Sequence, residues 1–94
     1  MSNSIDRKFK FVAVNPSNGK HYTEDSGVVF CAHDKAFLEV LPLYIEACKN
    51  MGANELQIKG AEALLNRVRN YQETVFSKVP DINQQEDIDL KISI

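Results

Sequence analysis

The 94-residue sequence has no tryptophan, two cysteines, three prolines and four glycines. Glycine is too sparse to build either of the phosphate-cradling loops, GxGxxG or GxxxxGK[ST], and neither occurs. Two cysteines are too few for a small secreted scaffold stapled by disulfides, which carries four or more at close spacings. Neither charge sign dominates: 11 Lys and Arg against 13 Asp and Glu leave −2, which gives no general basic field and argues against a nucleic-acid partner. No apolar run approaches the roughly 20 residues that span a bilayer. Residues 1–10, MSNSIDRKFK, hold no stretch that would serve as a signal peptide. At 44% hydrophobic residues, whole-chain disorder is not expected either. These exclusions leave one globular domain over residues 1–94, expected to be soluble and cytoplasmic, with no membrane partner.

Cys31 and Cys48 sit inside apolar runs, VVFCA and IEACKNM. A single bridge between them is geometrically allowed, but free cysteine in such settings behaves as a small buried hydrophobe. Two reduced structural thiols are the expectation.

The first patterned segment is RKFKFVAV, Arg7 to Val14. Phe9, Phe11 and Ala13 fall on one side of an extended chain and Lys8 and Lys10 on the other, which predicts a strand. Asn15-Pro16-Ser17-Asn18-Gly19 is dense in turn formers and predicts a hairpin to a short strand at Lys20–Thr23. Glu24-Asp25-Ser26-Gly27 reads as a second turn, and Val28 to Cys31 as a third, more buried strand.

From Asp34 the period changes. Phe37, Leu41, Tyr44, Cys48 and Met51 recur at steps of four and three, the signature of one helical face. Asp34 is placed to cap this helix and Gly52 to close it in a left-handed conformation. Pro42 falls inside the segment and predicts a kink rather than a division into two helices. A second helix, Asn54–Lys78, begins at Asn54 with Gln57 completing a capping box. Its seam is Ala61, Leu64, Val68, Tyr71 and Val75, and Glu55 precedes Lys59 at the favourable four-residue spacing. Pro80 is read as its stop. At 1.5 Å per residue such a helix would be about 36 Å long, more than a small sheet can cover. After a polar linker, 80–87, Ile88, Leu90, Ile92 and Ile94 alternate with polar residues as a strand that must bury one side.

The expected fold class is therefore α+β: a small N-terminal antiparallel sheet of two or three strands, an antiparallel helical hairpin, and a short C-terminal strand. The facing helical seams are expected to meet Phe9, Phe11, Val29 and Phe30.

Candidate chemistry is thin. Cys31, His33, His21 and Cys48 are the residue types of a zinc site, but only Cys31 and His33 are close in sequence, and no metal site is assigned. A nucleophile at Cys31 or Cys48 activated by His33 lacks an oxyanion site, so no catalytic residue and no cofactor is assigned. His33 and Lys35 flank a strand-to-helix junction where amide groups meet anions, against which stands Asp34 as the natural occupant. Arg67 and Arg69, two residues apart, do not share a helical face. Arg7, Lys8 and Lys10 form a small basic cluster, and Asp81, Glu86, Asp87 and Asp89 an acidic linker suited to meet it on another subunit.

Three functions follow in order of preference. The first is a non-enzymatic binding or adaptor module acting through protein–protein contacts as a homodimer or higher oligomer, its partners being itself and other proteins, with Tyr71, Val75, Ile88, Leu90 and Ile92 in the interface. The second is an oligomeric binder of a small anionic ligand such as a nucleotide, held by His33, Lys35, Arg67 and Arg69. The third, and weakest, is a thiol enzyme.

Overall fold

The computed structural model describes residues 4–81. The expected strand at 88–94, with Ile88, Leu90 and Ile92, lies outside the described residues, as does all but the start of the 80–87 linker. The described chain forms two compact units, residues 4–29 with Asp81 and Phe30–Pro80.

In the first unit, β1 (Val12–Val14) pairs antiparallel with β2 (His21–Thr23), in the register Val12 to Thr23, Ala13 to Tyr22 and Val14 to His21. The connecting turn behaves as its composition dictates. Asn15 accepts the Ser17 amide on its side chain at 2.9 Å, and its carbonyl accepts the Gly19 amide at 2.7 Å. Gly19 has φ +72°, the conformation for which glycine is suited.

Strand β1 is much shorter than Arg7–Val14. Residues 6–9 are instead bent by Asp6, whose Oδ1 accepts from the amides of Lys8 and Phe9, both at 2.9 Å. The expected alternation is lost there, and the Lys8 ammonium stands 5.7 Å from the centroid of the Phe9 ring. Val28–Cys31 is not a strand. The Val29 amide donates 2.8 Å to Asp6 Oδ2 rather than to a ladder carbonyl, so that segment is tied to a carboxylate and not to a sheet.

The second unit is the helical hairpin. Helix α1 (Lys35–Asn50) is capped by Asp34, which accepts the Phe37 amide at 2.9 Å. It runs unbroken through Pro42, whose ring is exposed, so the segment is one helix and not two. Gly52, at φ +76°, and Ala53 donate back to the carbonyls of Lys49 and Cys48, a double closure of the helix end that only a left-handed residue at Gly52 permits. Helix α2 (Glu55–Thr74) starts at Asn54, which accepts the Gln57 amide at 2.8 Å. The reciprocal half of a capping box is missing, because the Gln57 side chain reaches across to the Tyr44 hydroxyl at 3.4 Å. Tyr44 opposite Gln57 and Asp34 opposite Gln72 make the two helices antiparallel.

Helix α2 ends at Thr74, four residues short of Lys78. The amides of Val75 and Phe76 both turn onto the Tyr71 carbonyl, and the chain folds back along the start of α1. Lys78 donates to the His33 carbonyl at 2.7 Å and accepts the Lys35 amide at 3.0 Å, a short parallel bridge. Gln72 braces the turn from the helix side, its Nε2 donating to the carbonyls of Ala32 at 3.1 Å and Asp34 at 2.7 Å. Tertiary hydrogen bonds therefore stop the helix before Pro80 can. The surplus projecting helix expected from the sequence does not exist.

The buried apolar side chains among the described residues all belong to the hairpin: Leu41, Ile45, Cys48, Ala61 and Val68. Three of the five residues of the expected α2 seam stay uncovered, with Leu64 42%, Tyr71 37% and Val75 65% exposed.

Candidate functional site

An open apolar groove lies on one side of the hairpin, with a volume of about 500 Å³. Helix α1 supplies Phe37, Val40, Leu41 and Tyr44, and α2 supplies Gln57, Gly60, Ala61 and Leu64, with Phe30 at one end. The helical periods explain the grouping. Phe37, Leu41 and Tyr44 follow one another at i, i+4 and i+7, and so do Gln57, Ala61 and Leu64. Leu41 and Ala61 close the floor, while Phe30, Val40, Tyr44 and Leu64 remain 56%, 47%, 52% and 42% exposed. Phe30 stacks on Phe37, ring centroids 4.9 Å apart and planes within 5°. That pair bears out the expectation that Phe30 meets the helical seam. Gly60 leaves its part of the wall without a side chain, and a Cβ there would meet nothing within 4 Å. The groove's polar contact is the Tyr44–Gln57 hydrogen bond. On the opposite side of the hairpin Lys49 stands 3.8 Å from Glu62.

The residues proposed for an anion are not gathered in this groove. His33 lies with its ring 5.3 Å from that of Phe76, and its carbonyl is taken by Lys78. The Lys35 amide is likewise engaged by Lys78, and Asp34 occupies the helix N-terminus. Arg69 donates to Asn66 at 3.3 Å. Arg67 is exposed on α2, seven residues beyond Gly60 and three beyond Leu64, so it continues the groove's α2 wall. Of the interface candidates, Tyr71 is partly exposed and its carbonyl receives the helix end, while Val75 caps that end and is 65% exposed. Cys31 is half-buried and Cys48 buried, both free thiols. Among the described residues no group of three or more His, Cys, Asp or Glu is placed to share a metal ion. No described helix is long and apolar enough to cross a membrane.

The first unit holds a second polar focus that the sequence reading passed over. Asp6 is buried, and its carboxylate accepts three backbone amides, those of Lys8, Phe9 and Val29. Burial alone would raise its pKa. The amides of Phe9, Lys8 and Val29, with the Lys8 ammonium, outweigh that and hold it below the ordinary 3.8. Glu24 is also held below its ordinary value, by its own amide and that of Phe11, which donates to Oε1 at 3.2 Å. The Glu24 carbonyl accepts from Ile5 and Asp6 at 2.8 and 2.9 Å. Lys8 in turn donates to the Asp81 carbonyl and stands 3.7 Å from its carboxylate, so this basic-to-acidic contact is made within one chain. The Asp6 and Glu24 carboxylates serve the backbone. Their signal in the sequence was faint, an aspartate beside a basic cluster.

Compared with known proteins, the chain matches no family model, no curated protein and no solved structure.

Proposed function

We propose that this protein is a non-enzymatic interaction module, acting through protein–protein contacts at the open apolar side of its helical hairpin. The observation that carries the reading is the groove between α1 and α2. It presents stacked and half-exposed aromatic rings to solvent on a small chain in which few side chains among the described residues are buried, so covering them has much to gain. A second copy docked on this side, with Tyr71 and Val75 at its margin, and a different protein are the two occupants that the test below separates.

The test is site-specific photo-crosslinking. A benzophenone side chain at Val40, on the groove wall, is activated in cells that make the protein. A discrete protein adduct, lost when Leu64→Asp is added, is the result this reading requires. An adduct at twice the chain mass identifies a second copy, and one at another mass a different protein. Absence of any protein adduct from Val40, with the chain folded by circular dichroism, overturns it.

A further inference from the structure

From this interaction reading, on which the inference rests, we infer that the groove's occupant is an amphipathic helix of another protein, bearing acidic residues beside its apolar stripe.

The shape argues for a helix. From Phe37 to Tyr44 the α1 wall runs about 10 Å, two helical turns, the length over which a docked helix sets down residues i, i+3 or i+4, and i+7. The outer row of α2 is Leu56, Gly60, Ala63 and Arg67, spaced i, i+4, i+7 and i+11. Gly60 and Ala63 in its middle keep that wall low, and the empty space above Gly60 admits a large side chain.

The charge argues for an acidic partner. The outer row of α1 on this side is Ala36, Val40, Leu43 and Ala47, with no charge, and Leu43 is 69% exposed. The groove lining between the two rows carries no charge either. Arg67 is thus the one ionised side chain in these rows, and every carboxylate of both helices lies outside them. A guanidinium at the end of an apolar groove is met by a carboxylate one or two turns along the docked helix, with two parallel hydrogen bonds available to it. The same pattern disfavours a second copy. A two-fold pairing sets identical surfaces against each other, so each copy would bring Arg67 and neither would bring an acid to these rows.

A library of displayed helices of about four turns, with a fixed apolar stripe and random flanking positions, tests this on the full-length protein. Enriched sequences should carry Asp or Glu beside the stripe, and synthetic forms should lose at least about tenfold in affinity when those acids become Lys. Gly60→Leu should abolish their binding with no loss of melting temperature, because its side chain fills the groove. Arg67→Glu should reverse the preference toward the basic peptides. Enriched helices that are neutral or basic, yet still lost on Gly60→Leu, overturn the acidic-partner inference and leave the interaction reading standing. So does a doubled mass in light scattering that Gly60→Leu returns to monomer. Recovery of no groove-dependent helix overturns the inference. So does displacement of the selected peptides only by a long-chain fatty acid, or gain of peptide binding on Leu90→Asp, which would assign the groove to the chain's own 88–94 segment.

Discussion

The two units of this chain withdraw different kinds of side chain from water. In the helical hairpin the buried residues are Leu41, Ile45, Cys48, Ala61 and Val68, all apolar. In the N-terminal unit the buried residue among those described is a carboxylate, Asp6. The hairpin is held by non-directional packing whose strength scales with the area covered. The strands Val12–Val14 and His21–Thr23 are only three residues each, and Val12 and Val14 stay 71% and 55% exposed. What ties residues 4–29 together is hydrogen bonding to Asp6 and Glu24. The first unit should therefore answer to pH and to the loss of single acceptors, and the second to the loss of volume.

The largest effect is expected in the hairpin. Ile45→Ala empties a position 6% exposed and should cost about 2–5 kcal/mol in chemical denaturation, because packed neighbours relax only partly into the space. Amide protection over α1 and α2 should fall together. A loss under about 0.5 kcal/mol would mean that this core is not packed, and the contrast between the units would collapse.

Next comes Asp6→Asn. An amide side chain still offers one oxygen, but its NH2 faces a backbone donor where the second oxygen stood, so at least one amide loses its partner. That should cost about 1–3 kcal/mol, felt locally as faster exchange of the Lys8, Phe9 and Val29 amides, with α2 untouched. The pH dependence has a definite sign. The folded carboxyl has a lower pKa than the unfolded one, so its contribution is whole above the ordinary value of 3.8 and fades as pH falls through the folded value. Acid should therefore release the Val29 amide before it releases the helices, and Asp6→Asn should remove that pH dependence. Equal acid sensitivity in both units would break the comparison.

This difference also decides what the sequence could tell. Helix starts were legible because Asp34 and Asn54 each precede an apolar period and cap by a local hydrogen bond. The turn at Asn15–Gly19 was legible for the same reason. The absence of a strand at Val28–Cys31 and the early end of α2 were not, since each is set by a partner distant in sequence: Asp6 to Val29, Lys78 to His33. The short β1 was missed for a local reason, the bend in which Asp6 accepts the Lys8 and Phe9 amides against the alternating pattern. The groove was half legible. The periods named its residues, Phe37, Leu41, Tyr44 and Leu64, but periodicity marks an apolar stripe without saying which part of it another element covers. Arg67 was named for an anion, and its place at the end of an apolar wall emerged only with the fold.

A smaller effect tests whether a directional contact matters in the hairpin at all. Gln72→Leu removes two side-chain donors from the Ala32 and Asp34 carbonyls while keeping bulk. We expect a loss of about 1 kcal/mol and faster exchange at Lys78, whose bridge to His33 and Lys35 closes the unit beyond α2. The core amides near Val68 should not change. If they do, hydrogen bonding and packing are one cooperative system here, and the division drawn between the units is too sharp.

The smallest expected effect is at the surface of α2. Glu55 and Lys59 stand 3.1 Å apart at i and i+4, as their spacing predicts, with side chains 79% and 67% exposed. Glu55 also lies in the first turn, where a negative charge meets the helix dipole. Glu55→Gln removes both interactions yet should cost only about 0.2–0.5 kcal/mol, because water and salt screen each of them. In about 1 M salt, where screening acts over roughly 3 Å, the variant and the parent chain should melt together. A loss above about 1 kcal/mol that survived such salt would mean that the start of α2 depends on Glu55 itself rather than on Asn54 and the apolar side chains behind it. The hairpin would then depend on a single polar residue much as the N-terminal unit depends on Asp6.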